Sequence, residues 1–249
     1  MYKNNSRASS KFKGCCPLQL FCNLTGKCNA FGYYSYTQRY AKFKRMRLQE
    51  NDIKKHYNLI APLYDFLHHL QTLYADTIHR KLSVIKLQQL NLGVCLEIGC
   101  GTGLTTKLIY KYIENIKLIC LDSSQKMMSI AKSRALTENY YDKIEFVNSS
   151  IYEMPFKNNS IDSVLSVYVF GGVHNPESAV KEINRVLKPN GKLVLTEMTN
   201  PPEDSTILRK VIYKFLVKPW VKFFWKFTDH PYKELFEKNS FELLSQEYR

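Results

Sequence analysis

Acidic residues are missing from the start of the chain: the first is Glu50, and ten lysines and arginines, from Lys3 to Arg47, precede it. An acid-free basic leader reads as an organellar transit segment, here a mitochondrial one, or as a disordered basic tail of a cytoplasmic or peripheral membrane protein. Long apolar runs are also missing. The stretch CCPLQLFC is too short for a secretory signal, and no segment reaches the roughly 18 uncharged apolar residues a spanning helix needs. Seven cysteines are present, but Cys15, Cys16, Cys22 and Cys28 fit no common zinc spacing. An odd count without a secretory signal argues against a disulfide framework, and Cys95, Cys100 and Cys120 read as small buried thiols. No glycine-rich stretch ends in GKS or GKT, which excludes a P-loop.

The residues that are present suit one α/β domain with appendages: 249 residues, 45% of them apolar, with a net charge of +14 that points to an anionic partner. We divide the chain into a basic leader (1–50), a helical lid region (51–91), an α/β core (92–200) and a basic amphipathic helical region with a final strand (201–249). In the lid region Leu63, Leu67, Leu70, Tyr74 and Ile78 recur at helical spacing, and Pro62 divides a short first helix from the next one. The core alternates strand and helix. Strands are predicted at 94–98, 116–121, 144–147, 161–169 and 191–196, with helices at 104–112, 124–134 and 176–187. Strands this apolar suit a mostly parallel sheet covered by helices on both faces, a Rossmann-like fold.

The first core strand runs directly into Gly99-Cys100-Gly101-Thr102-Gly103, and a helix opens at once. Glycines there permit a tight turn and close approach of a ligand to the backbone. The third glycine falls one position too early for the nicotinamide dinucleotide pattern. Glu97, on the last turn of the strand, would repel a pyrophosphate but suits an ammonium or sulfonium. Asp122, 23 residues beyond Gly99 at the tip of the next strand, is placed to accept from two ribose hydroxyls. Asp122 and the adjacent Ser123 also read as helix caps. Ser150 and Ile151, after the third strand, are candidates for the edge and face of an adenine. Ser166, Tyr168 and the loop Phe170–Pro176 stand at the carboxyl end of the fourth strand, where ligands sit in open sheets.

In this order the runs CLEIGCGTG, LDSSQKMM, MPFKNNSIDSV and INRVLKPNGKLVLTE resemble the class I S-adenosylmethionine-dependent methyltransferases. Within that family they resemble the subgroup of the ubiquinone and menaquinone C-methyltransferases and the phospholipid N-methyltransferases. The resemblance covers about residues 54–200. It implies S-adenosyl-L-methionine as cofactor, held by Glu97, Gly99, Cys100, Gly101, Thr102, Gly103, Asp122, Ser123, Ser150, Ile151 and Ser166. Through HYNLIAPLYDF, which resembles the subgroup's entry helix whose tyrosine and aspartate close over the cofactor, it makes Tyr57 and Tyr64 lid residues. It also implies an antiparallel pair of strands closing the sheet. Phe241–Tyr248 can supply one, and the last strand is expected to be missing, displaced or lost from a truncated product. Asn190 stands where the subgroup commonly has glycine, and asparagine tolerates a left-handed turn.

The activated methyl needs an aligned nucleophile and exclusion of water. Where the acceptor must lose a proton, His174 is the best-placed base by sequence, against a bland reading as a locally bonded loop histidine. The stretch from Ser205 to Phe227 carries six basic residues and no acid between bulky apolar ones. That suits a helix in the interface of an anionic membrane, or one covering the substrate pocket. A small lipid-like acceptor, a quinol or a phospholipid, emerges as first choice. An RNA methyltransferase is the alternative, disfavoured by the lack of an NPPY-like tetrad or an RNA module. A non-catalytic cofactor-binding assembly factor is another.

Overall fold

The computed structural model describes residues 16–24, 50–72, 74–90, 93–199, 206–219 and 230–248. Five parallel strands form the body of one sheet: β2 (Val94–Ile98), β3 (Lys117–Asp122), β4 (Ile144–Asn148), β5 (Ile161–Val167) and β6 (Leu187–Thr199). With β1 (Cys16–Leu24) and β7 (Phe241–Tyr248) the order is β4-β3-β2-β5-β6-β1-β7. The chain winds outward from β2 in one direction and then from β5 in the other. The crevice between β2 and β5 is therefore the topological switch point, where open α/β sheets bind ligands.

Period-two alternation splits the core into two layers. Leu96, Ile98, Val164, Leu193 and Leu195 meet α6 (Pro176–Val186) and α8 (Tyr232–Lys238) on one face. Cys95, Leu118, Cys120, Leu165 and Val194 meet α3 (Ala75–Gln88), α4 (Leu104–Tyr112) and α5 (Gln125–Thr137) on the other. α6 shows why such a segment is helical. Ala179, Val180, Ile183 and Val186 fall on one stripe and are fully buried. Asn175 caps its start by accepting from Ser178 N–H at 3.2 Å, with Pro176 in the first position. The three core cysteines are free and buried, as expected, and burial pushes the Cys95 thiol up to about 12.

The lid region forms α1 (Glu50–Ile60), a 3₁₀ turn at Ala61–Leu63 that contains Pro62, and α2 (Tyr64–Thr72). Its predicted apolar stripe is present but largely turned outward: Leu63, Leu70, Tyr74 and Ile78 are exposed. The buried side of α3 is instead mixed, with Asp76, His79, Arg80 and Ser83 beside Val84 and Leu87. Past the core, α7 (Ile207–Ile212) runs into a wider π turn at Tyr213–Val217. Trp220, Phe223, Phe224 and Trp225, read from the sequence as part of the amphipathic stretch, lie outside the described residues.

Two expectations change at the sheet edge. The leader is not disordered throughout, because Cys16–Leu24 forms β1, antiparallel to both β6 and β7. Of the alternatives for the final antiparallel strand, the structure fits displacement. The N-terminal segment fills that position, with Leu20 opposite Leu195 and Gln246.

Candidate active site

The turn after β2 has all three glycines in the left-handed region, Gly99 at φ +60°, Gly101 at +56° and Gly103 at +83°. Side chains are excluded there for different reasons. A Cβ on Gly99 would lie 2.5 Å from a Val169 methyl, and one on Gly103 would lie 3.2 Å from Ala131 Cβ. Above Gly101 the nearest atom to a Cβ is the Gly99 carbonyl oxygen at 4.0 Å, so that face of the turn is open. Asp122 fixes the turn: its carboxylate accepts from Gly101 N–H and Ser124 N–H, each at 2.8 Å. Burial raises its pKa and these two donors oppose the rise. Ser124 rather than Ser123 caps α5, accepting from Met127 N–H at 3.2 Å. Cys100 turns its side chain into the core and donates its N–H to the Leu121 carbonyl at 3.1 Å.

Glu97 is 3% exposed and accepts from the Thr106 hydroxyl at 2.6 Å. Burial pushes its carboxyl up to about 7, against the pull of the Thr106 and Cys120 bonds and of the Arg80 guanidinium. A buried acid poised to ionise beside the turn needs a cation, and the cofactor supplies an ammonium and a sulfonium. The open face over Gly101 and the unused lone pairs of Asp122 complete a fit to S-adenosylmethionine.

The lid helices are fastened to this turn partly by side chains already expected there and partly by two that were not, Asn58 and Arg134. Asp65 accepts from the Thr102 hydroxyl at 2.5 Å and from Arg134 at 2.6 Å, while Arg134 also donates to the Thr102 carbonyl. Asn58 accepts from the Ser124 hydroxyl at 2.8 Å. Ser150 donates to Glu50 at 2.5 Å, and its neighbour Ile151 packs on the core. Tyr57 reaches the loop after β5, where a Cβ on Gly172 would lie 3.3 Å from its hydroxyl. Tyr64 stacks on His68 at 5.5 Å, and burial pushes its phenol up to about 12.

Behind the lid lies a buried polar cluster. Asp76, fully buried, accepts from the Thr72 hydroxyl at 2.8 Å and lies 2.9 Å from His69 Nδ1 and 3.2 Å from His68 Nδ1. Burial works against its charge, but its bond to His68, Arg80 and its bond to His69 outweigh that and keep it ionised. Burial lowers the pKa of His68, and its bond to Asp76 opposes that. Tyr168, directly after β5, adopts φ +61°, which costs about 1–3 kcal/mol for such a residue. It is held there by His79 at 2.7 Å from its hydroxyl, by Arg80 over its ring at 5.3 Å and by His68 at 5.1 Å. Tyr57, Tyr64, Leu67, Tyr168 and Val217 pack around Met198, making an aromatic wall at the carboxyl ends of β5 and β6.

Glu197, also missed, is buried and accepts from Val169 N–H at 2.6 Å and Phe170 N–H at 2.7 Å, which fixes the loop after β5. Burial pushes its carboxyl up to about 8. Ser166 lies in the buried body of β5, opposite Ile98, its hydroxyl without a protein partner. His174 stands on the Ser150 side, exposed, with Nδ1 2.6 Å from the Tyr152 hydroxyl.

The model of the methyltransferase domain family matches residues 96–195. The chain is 32% identical over 174 residues to the demethylmenaquinone methyltransferase of Thermotoga maritima, covering 68% of this chain and 72% of that one. It is 26% identical over 172 residues to the ubiquinone/menaquinone biosynthesis C-methyltransferase UbiE of Hahella chejuensis, covering 69% of each. Among solved structures, phosphoethanolamine N-methyltransferase 2 of Haemonchus contortus aligns with a TM-score of 0.52 at 20% identity, over 65% of this chain and 36% of that one. That last likeness is one of fold. The chain binds S-adenosylmethionine and methylates a small molecule with it. Turn, paired acids and relatives thus converge: the chain belongs to the class I S-adenosylmethionine-dependent methyltransferases, alongside the ubiquinone/menaquinone C-methyltransferases.

Proposed function

We propose that the chain methylates the ring of a quinol that carries an apolar tail. The aromatic wall around Met198 carries this reading. It stands at the carboxyl ends of β5 and β6, and rings suit a flat aromatic acceptor by offset stacking. The names of the Thermotoga and Hahella relatives, both quinone-directed, support the same choice over a phospholipid.

When bound, S-adenosylmethionine supplies a methyl already activated on a sulfonium. In our reading Glu97 and Arg80 face the two charges of its amino-acid end, Asp122 holds the ribose, and Ser150 with Ile151 borders the adenine. Tyr57 and Tyr64 close over it and exclude water, and the Asp65–Arg134–Thr102 bonds hold them down. A quinol ring carbon becomes nucleophilic as its hydroxyl gives a proton to a base, and once methylated that carbon sheds its own hydrogen as a proton while the hydroxyl is restored, so one proton is released overall and a base is required. His174 is already engaged by Tyr152, on the Ser150 side. His68 stacks on Tyr64 and leans on Tyr168, beside the wall, with Asp76 3.2 Å behind it. We assign the proton to His68.

The test offers the full chain labelled S-adenosylmethionine with a demethylated prenyl quinol, phosphatidylethanolamine or total RNA. Label on the quinol ring carbon is expected. Label confined to the lipid amine or to RNA would refute the reading.

A further inference from the structure

Four large apolar side chains project from the outer face of the lid helices: Leu59 is 77% exposed, Leu63 61%, Phe66 66% and Leu70 50%. Phe66 and Leu70, four residues apart on α2, share one face of that helix, and Leu59 at the end of α1 and Leu63 in the 3₁₀ turn precede them. α7 and its π turn carry a second stripe, with Ile207 82%, Leu208 68% and Phe215 65% exposed. Contiguous apolar exposure on this scale marks a contact surface. The inner faces of these elements meet at the aromatic wall, Tyr57, Tyr64 and Leu67 from the first and Val217 from the second. The two stripes therefore belong to the elements that enclose the acceptor.

Charge identifies the occupant. Lys210, Lys214 and Lys218 are exposed along the second stripe, and residues 206–219 include no acid. Cations interleaved with bulky apolar groups suit the headgroup boundary of an anionic bilayer, with lysines reaching up to phosphate while the apolar tips enter the acyl region. We propose that the two stripes form one docking face for an anionic phospholipid bilayer, and that the acceptor passes between them from the lipid phase to the wall. The proposal rests on the lipid-like acceptor reading and adds a route and a surface to it.

The test is flotation of the full chain with phosphatidylcholine vesicles, with and without phosphatidylglycerol. It compares the parent with the double variants Leu63→Glu/Phe66→Glu and Ile207→Glu/Phe215→Glu. Three lysines near the surface should make binding to the anionic vesicles on the order of a hundredfold tighter. Each double variant should weaken it by about tenfold or more, with S-adenosylmethionine binding unchanged as proof of folding. Turnover of a water-soluble short-tailed quinol should persist in both variants, while turnover of a long-tailed quinol in vesicles falls. The proposal is overturned if the parent does not float with anionic vesicles or if either double variant floats like the parent. It is also overturned if light scattering shows a dimer that Leu63→Glu/Phe66→Glu dissociates. Vesicle binding without turnover of either quinol would instead count against the acceptor reading and leave the surface standing.

Discussion

Gly101 is the residue on which cofactor binding depends most directly. Its φ of +56° is open to glycine, and the space above it is where a ligand must approach. Gly101→Ala adds about 1–2 kcal/mol of backbone strain and a methyl on the ligand side. Calorimetry should show S-adenosylmethionine affinity reduced about tenfold or more in a protein that still folds. Glu97 gives a pH signature. Its carboxyl sits at about 7 in the folded chain against an ordinary 4.5, so its contribution to stability is full below 4.5 and is lost as pH rises through 7. A cationic ligand favours the ionised form, so affinity should rise as pH climbs from about 5 to about 8. Glu97→Gln should flatten that rise, and an unchanged slope would remove Glu97 from the site. His68→Gln should lower kcat about a hundredfold with little change in cofactor affinity, while His174→Gln stays near the parent rate. The reverse pattern would return the proton to His174. The glycines and Glu97 were legible in the sequence because they lie within one strand–turn–helix, and Asp122 because it ends the next strand. The lid aspartate Asp65 was reached only through the resemblance of HYNLIAPLYDF, and its partner Arg134 not at all, since the two stand 69 residues apart. Glu197 was hidden in an apolar strand, because the N–H groups it serves belong to another loop.

At the scale of elements, the parallel strands and their helices followed from apolar runs and glycine or asparagine breaks to within a few residues. Asn190, at φ +63°, does adopt the left-handed turn expected of it. The N-terminal strand was illegible for a physical reason. CPLQLFCNL has no strict alternation, and its pairing partners, Lys192 to Thr199 and Phe241 to Tyr248, come far later in the chain. Composition alone made it part of a leader. At Leu20 β1 is paired on both sides, with Leu195 and Gln246, so a proline there would remove a ladder bond; the natural Pro17 stands near the strand's start, where no β7 residue pairs with it. Leu20→Pro should cost about 3 kcal/mol in denaturant unfolding. An unchanged midpoint would mean that β1 contributes nothing to the folded state. If the basic segment also serves as an organellar address, processing must stop short of Cys16 for the sheet to stay whole. Mass spectrometry of the N-terminal peptide from cells would show this, and a mature start beyond Leu24 would contradict it.

Across the whole molecule, the charge of +14 and the outward apolar stripes serve one purpose in this reading, to bring the aromatic wall to the lipid that holds its substrate. Composition supplied the basic excess but not its arrangement. The lid stripe had the spacing of a core face and turned out to face away from the core, because the inner side of α2 and α3 is occupied by the Asp76 cluster that holds Tyr168. The most direct measurement is transfer of labelled methyl from S-adenosylmethionine to a demethylated prenyl quinol held in anionic vesicles, with the parent and Gly101→Ala side by side. Label on a ring carbon with the parent, strongly reduced in the variant, is the expected result. A folded, cofactor-binding parent that leaves the quinol unlabelled would contradict it.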